Sequence, residues 1–303
     1  MKILQPLTIA NAGFIASSVG EPDTGEVAWN AATSYTPGQR VVLASTHRVY
    51  RNLIAGVNAT SPHLAPDRWF DEGPTNKWAW ADTSVSTATS APSPYTHTLQ
   101  PGSFTDVALF GLVNVYSARL EVWYESGGAL TFAQTLTTEY WSAGDPYISY
   151  YFDLPRFRNR LFFSGIPISA TCECRLTLTA LDSALPVQIG VAAYGRFEPV
   201  GCQEYGASAR TVDYSRITTD EYGNTTIVKG RKAKDLRGTL VVDKAQAGVV
   251  DDLIDRLRGT PLVVVGSDDP DYDYLSTIGL VDAEPVAAGP THATINYTVR
   301  GLV

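Results

Sequence analysis

Cysteine is scarce in this 303-residue chain: there are three, an odd number that builds no disulfide framework. Cys172 and Cys174 stand two apart, on one face if the segment is a strand, where a bridge between them would be strained. Such usage fits a chain made in the cytosol. Histidine is also rare. His47, His63, His97 and His292 are scattered, with no His-x-x-x-His and no partner at metal-ligand spacing, and the three cysteines lack a fourth ligand. No metal or cofactor is expected. Neither a Gly-x-Ser-x-Gly nor a Gly-rich phosphate loop occurs, and no acid/base pair stands out, so the reading is of a protein that is not an enzyme. Basic residues are too few for a nucleic-acid partner: 23 Lys and Arg against 31 Asp and Glu leave a net charge of -8. The short basic stretch Lys229 to Lys234 reads as a solvated strand end. No apolar run approaches the ~18 residues that a membrane helix needs, so no membrane insertion is expected. Met1 to Ser18 makes a poor signal peptide.

What is present points to β-structure. Hydrophobic residues make up 44% and charged ones 18%, with Thr, Ser, Tyr, Val and Gly abundant, so the fold class expected is mainly β. The length exceeds what one core usually organises, which predicts two or three domains. Residues 1–26 read as an N-terminal arm or strand and 27–82 as a compact module holding four of the six Trp. The Ser/Thr/Ala/Pro-rich stretch 83–94 reads as a linker. Residues 95–195 read as an antiparallel β-sandwich or jelly roll, and 196–303 as a β-barrel-like, split-barrel domain with one helix at about 244–258.

Periodicity supports these assignments. Ala118, Leu120, Val122 and Tyr124 alternate with Arg119, Glu121 and Trp123, and Cys174, Leu176, Leu178 and Ala180 repeat the pattern. Asp243 suits an N-cap, Val249, Val250, Leu253, Ile254 and Leu257 recur at helical spacing, and Gly259 with Pro261 ends the helix. Arg237 to Val242, Leu262 to Val265 and Thr291 to Val299 read as strands around it. A hairpin is expected over Thr218 to Val228, turning near Tyr222-Gly223-Asn224. Asp268, Asp269, Asp271 and Asp273 form an acidic loop. Counted from Asp269, a calcium loop would need Gly and Glu where Tyr274 and Leu280 stand, so a solvated turn is expected.

Three blocks carry resemblances. Trp29-Asn30, Tyr35-Thr36-Pro37-Gly38, Val41-Val42, Val49-Tyr50-Arg51, Pro62, Pro66 and Trp69 follow the order of the small chitin/cellulose-type carbohydrate-binding modules, which 27–82 resembles. The resemblance implies Trp29, Tyr35, Tyr50 and Trp69 as carbohydrate-binding residues, since an exposed ring offers a flat apolar face to a pyranose. The alternative is that so small a module needs the same rings as its core. Next, Gly73-Pro74-Thr75-Asn76-Lys77-Trp78-Ala79-Trp80-Ala81-Asp82 resembles a Gly-Pro-x-Asn-Arg-Trp-Ala-x-Phe-Asp signature of siphophage tail proteins, departing at Lys77, Trp80 and Ala81. It is expected to place both indoles on one side of a strand and to pack at a domain junction.

The third block comprises Tyr205-Gly206-Ala207-Ser208, Asp213-Tyr214-Ser215-Arg216, Thr219 to Asn224, Leu257-Arg258-Gly259 and the terminal Arg300-Gly301-Leu302. It looks like the distal-tail or minor-tail proteins of tailed phages, whose β-barrel domains form a ring beneath the tail tube. That likeness implies a structural component of the tail tip or baseplate of the virion, assembled in the host bacterial cytoplasm. The partners implied are further copies of itself, as trimer or hexamer, other tail proteins (tail tube, hub, tape measure, fibres), and a host cell-surface glycan on the aromatic module. Two rival readings are a receptor-binding protein that holds a surface glycan without a ring-forming role, and an envelope polysaccharide depolymerase.

Overall fold

The computed structural model describes residues 1–23, 25–140, 155–286, 289 and 291–302. The chain is mainly β, with one α-helix among the described residues, and nearly all strand pairing is antiparallel. Part of the expected 95–195 sandwich, residues 141–154, lies outside the described residues.

The aromatic module is a four-stranded sheet in the order Val27–Ala28, Arg40–Leu43, Arg48–Asn52, Trp69–Pro74, its first pair parallel. Its core holds six buried residues, Tyr35, Val41, Leu43, Tyr50, Ala65 and Trp69.

Beyond it lies a sandwich. One sheet runs Leu130–Thr137, Val115–Trp123, Glu173–Ala180, Tyr95–Leu99, Phe14–Ser17; the other runs Arg160–Phe163, Asp106–Phe110, Val191–Gly195. Ala118, Leu120 and Val122 point into the core beside Cys174, Leu176 and Leu178, as the alternation predicts. Tyr124 lies past the strand end and is exposed. The segment expected as a linker contains the strand Thr89–Ala91, paired with Val187–Ile189, and both Thr89 and Ala91 are buried. Small side chains there fit closely against the core, so the scarcity of large apolar residues marks tight packing and no free connection.

The C-terminal region is built on an eight-stranded sheet. Its path is Phe197–Pro199, Lys2–Leu4, Leu262–Val265, Ser276–Val286, His292–Gly301 and Lys232–Asp243, with Cys202–Gln203 and Ser208–Asp213 both on the last strand. The expected barrel is not closed by hydrogen bonds among the described residues. Phe197–Pro199 pairs with Lys2–Leu4 and Cys202–Gln203 with Lys232–Asp243, and the two edges meet only through Val200-Gly201. Gly201 lies so close to Val242 that a Cβ there would approach its side chain to 2.7 Å. The helix Lys244–Leu257 buries Val250, Ile254 and Leu257 against this sheet, while Val249 is exposed. Asp243 occupies the N-cap position but makes no side-chain cap bond.

The alternation of the sheet explains the three layers. Ile3, Leu262 and Val264 face the helix side, while Leu4, Val263, Val265 and Ile278 pack on Ala108, Phe110, Val191 and Ala193 of the sandwich. Asp106–Phe110 is thus covered on both faces, its Val107 and Leu109 belonging to the sandwich core. The segment expected as an arm is divided: Lys2–Leu4 serves the C-terminal sheet and Phe14–Ser17 the sandwich.

Candidate functional site

The four aromatics of the first module are placed unequally. Tyr35, Tyr50 and Trp69 are 2%, 4% and 2% exposed, and Tyr35 meets Trp69 edge-on at 5.2 Å. The Tyr35 hydroxyl accepts from the Asn30 amide at 2.7 Å and donates to the Asn30 carbonyl at 3.1 Å, which closes the turn after Trp29. Trp29 is half-buried against the same cluster. Sugar stacking needs a free ring face, so Tyr35, Tyr50 and Trp69 are corrected from binding residues to core. A sheet of this size has few other large side chains with which to exclude water.

The Gly73 to Asp82 block forms the junction between module and sandwich. Its Trp78-Ala79-Trp80 does not form the expected strand: Ala79–Ala81 is a 3-10 turn, and the two indoles share Phe14 as a neighbour but stack on different histidines. Trp78 stacks on His47 with centroids 4.3 Å apart and lies 4.8 Å from Phe14. The Glu21 carboxylate gathers the group, accepting from Thr75 Oγ1 at 3.0 Å and Trp78 Nε1 at 3.3 Å and meeting His47 Nδ1 at 3.0 Å. Asn76 donates to the Asp23 carboxylate and the Ser90 carbonyl and accepts from the Ser90 amide at 2.8 Å. These bonds tie the turn both to the segment before the module and to the strand Thr89–Ala91.

Trp80 is fully buried and stacks on His97 at 4.4 Å. His97 in turn contacts the Tyr194 hydroxyl at 2.6 Å and the Tyr95 hydroxyl at 3.0 Å. Burial lowers the His97 pKa to about 3 and pushes both phenols up, so at neutral pH the triad is uncharged. It is a hydrogen-bonded core with no access to substrate. A cleft of about 450 Å³ beside the junction is lined by His47, Arg48, Trp78 and Asp82. Desolvation raises the pKa of Asp82, whose carboxylate also accepts from the Thr87 hydroxyl and the Ser84 amide.

The C-terminal region turns outward. Ser208–Asp213 runs antiparallel to Lys232–Asp243, and Arg216–Thr219 with Thr225–Val228 continues as a hairpin. Its turn is set by Asp220, which accepts from the amides of Tyr222 and Asn224 at 2.9 and 2.7 Å, and by Gly223 at φ 82°. Every residue of both hairpin strands is exposed. Ile217 and Ile227 are cross-strand partners at 66% and 61%, and Tyr222 at the tip reaches 89%. The acidic loop is the 3-10 segment Pro270–Leu275, capped by the Asp269 side chain. Asp268 pairs with Lys2 at 2.5 Å and Asp273 with Arg160 at 3.2 Å. Among the described residues no cluster of His, Cys, Asp and Glu is arranged to hold a metal. Cys172 and Cys174 are buried and desolvation raises both thiols, whereas Cys202 is exposed.

Sequence reasoning did not find the Glu21 cluster, whose other members lie 26 to 57 residues beyond Glu21. It also left His97 among the scattered histidines, although Tyr95, His97 and Leu99 share the inward phase of one strand. Compared with models of known protein families the chain matches none, and it matches no curated protein.

Proposed function

We propose that this chain is a structural component of a phage tail tip or baseplate, of the distal-tail kind, that works by assembling with copies of itself and with neighbouring tail proteins. The observation that carries the reading is the hairpin Arg216–Thr219 and Thr225–Val228, which projects with Ile217, Tyr222, Ile227 and Val228 in water. A lone two-stranded hairpin is marginal in water, and its free edges invite pairing. An arm of this kind gains stability when another surface covers it. If the contact is heterologous and its rotation closes, the product is a ring. The sequence blocks that resemble tail proteins, at Gly73 to Asp82 and Tyr205 to Asn224, support the same reading.

The test is immunogold labelling of phage particles with an antibody raised against the purified chain. Label confined to the tail tip is the expected result. Intact particles that carry no label anywhere, together with absence of the chain from their denatured proteins, would overturn it.

A further inference from the structure

Three tyrosines of the C-terminal region face water around one concavity. Tyr205, in the turn after Cys202–Gln203, is 98% exposed, and Tyr272 and Tyr274 of the acidic 3-10 segment are 39% and 45% exposed. With Glu204, Ser267 and Asp269 they line a cleft of about 310 Å³. That is the small end of the ~300–1,000 Å³ range of ligand sites, room for one or two sugar rings.

The platform is held firmly. Tyr272 and Tyr274 lie 6.1 Å apart, tilted by 55°, on a segment pinned at one end by Lys2 to Asp268 and at the other by Arg160 to Asp273. Arg160 also donates to the Ser276 carbonyl and hydroxyl at 2.8 and 2.9 Å. The Asp269 backbone carbonyl accepts from the Tyr272 amide at 3.0 Å. Such support fixes where the rings stand before any ligand arrives. Two polar groups remain for a ligand. Among the described residues the Glu204 carboxylate has no hydrogen-bond or ion-pair partner, and only one Asp269 oxygen is engaged, accepting from the Asp271 amide.

We propose that this cleft is a saccharide-binding site for one or two residues of a neutral or amino-sugar glycan. Tyr205 and Tyr272 supply flat faces for the C–H side of a pyranose, Tyr274, with Lys234 Nζ 5.9 Å from its ring centre, forms the wall beside them, and the carboxylates accept from the sugar hydroxyls. Carboxylates at the rim disfavour uronate and phosphate polymers by like-charge repulsion. The site lies in the C-terminal region, away from the module whose sequence resembles carbohydrate-binding modules, and it does not depend on the assembly reading.

Calorimetric titration of the full chain with chitin oligosaccharides and with neutral hexose oligosaccharides tests the proposal. A uronic-acid oligosaccharide and choline serve as the anionic and cationic probes. Saturable binding to a neutral or amino sugar is expected, weakened at least tenfold in Tyr205→Ala with Tyr272→Ala and several-fold in Glu204→Gln, with Tyr205→Ala alone, at a 98% exposed side chain, weakening binding without changing the melting curve. Several outcomes overturn it: no heat with any neutral or amino sugar, binding unaffected by the tyrosine pair, or binding to choline or the uronate alone.

Discussion

The aromatic module and the C-terminal region use the same kind of side chain in opposite ways. In the module, Tyr35, Tyr50 and Trp69 are at most 4% exposed and constitute half of a six-residue core. In the C-terminal region the core is mostly aliphatic, built from residues such as Leu236, Leu240, Ile295 and Val299 with Tyr297 the one ring among them, and Tyr205 and Tyr222 stand 98% and 89% exposed. A small unit spends its largest rings on excluding water, whereas a larger sheet with a packed helix can leave its rings free. Density of aromatics in a sequence therefore points to a core first, and the rings available for contacts lie where aliphatic residues already suffice.

The strongest way to break this contrast is to remove rings from the inside. Trp80→Ala deletes a fully buried indole that stacks on His97, and a loss of ~3–5 kcal/mol is expected in denaturant unfolding. Trp69→Ala should cost about 3 kcal/mol, read as lost amide-exchange protection in Arg40–Leu43 and Arg48–Asn52 while the sandwich stays protected. A change below about 0.5 kcal/mol would return Trp69 to the surface and reopen the sugar-binding reading of the module.

Acid sharpens the contrast next. His97 has a folded pKa of about 3 against 6.5 ordinarily, so between those values the unfolded chain binds the extra proton. Stability is then fully present above about pH 6.5 and falls by ~1 kcal/mol per pH unit as pH drops towards 3. His97→Gln should lower stability at neutral pH and remove that part of the slope. Equal slopes in the two proteins would show that His97 is not the buried neutral base the core requires.

Much of this architecture was legible in local pattern. Leu262–Val265, the alternation through Val115–Trp123 and His292–Gly301, and the helix Lys244–Leu257 follow from side-chain period and the Gly259 stop. Non-local pairing was not legible. Nothing in Lys2–Leu4 announces that it completes a sheet with Leu262–Val265, and Thr89–Ala91 looked like a linker because its side chains are small. The four expected sugar-binding residues rest on their order in the sequence, and order along a chain does not say which face a ring takes. Tyr205, Tyr272 and Tyr274 converge only because the acidic segment folds back beside the Tyr205 turn, a proximity no spacing encodes.

The smallest effect on stability carries the most weight for function. Ile217→Lys with Ile227→Lys changes two exposed side chains, so the melting temperature should hold to within ~0.5 kcal/mol of stability. Light scattering on the wild type and this variant, over a range of concentrations, tests the assembly claim most directly. The account predicts a discrete oligomer for the wild type and a monomer for the variant; a wild type that stays monomeric throughout, or a variant of unchanged mass, would contradict it.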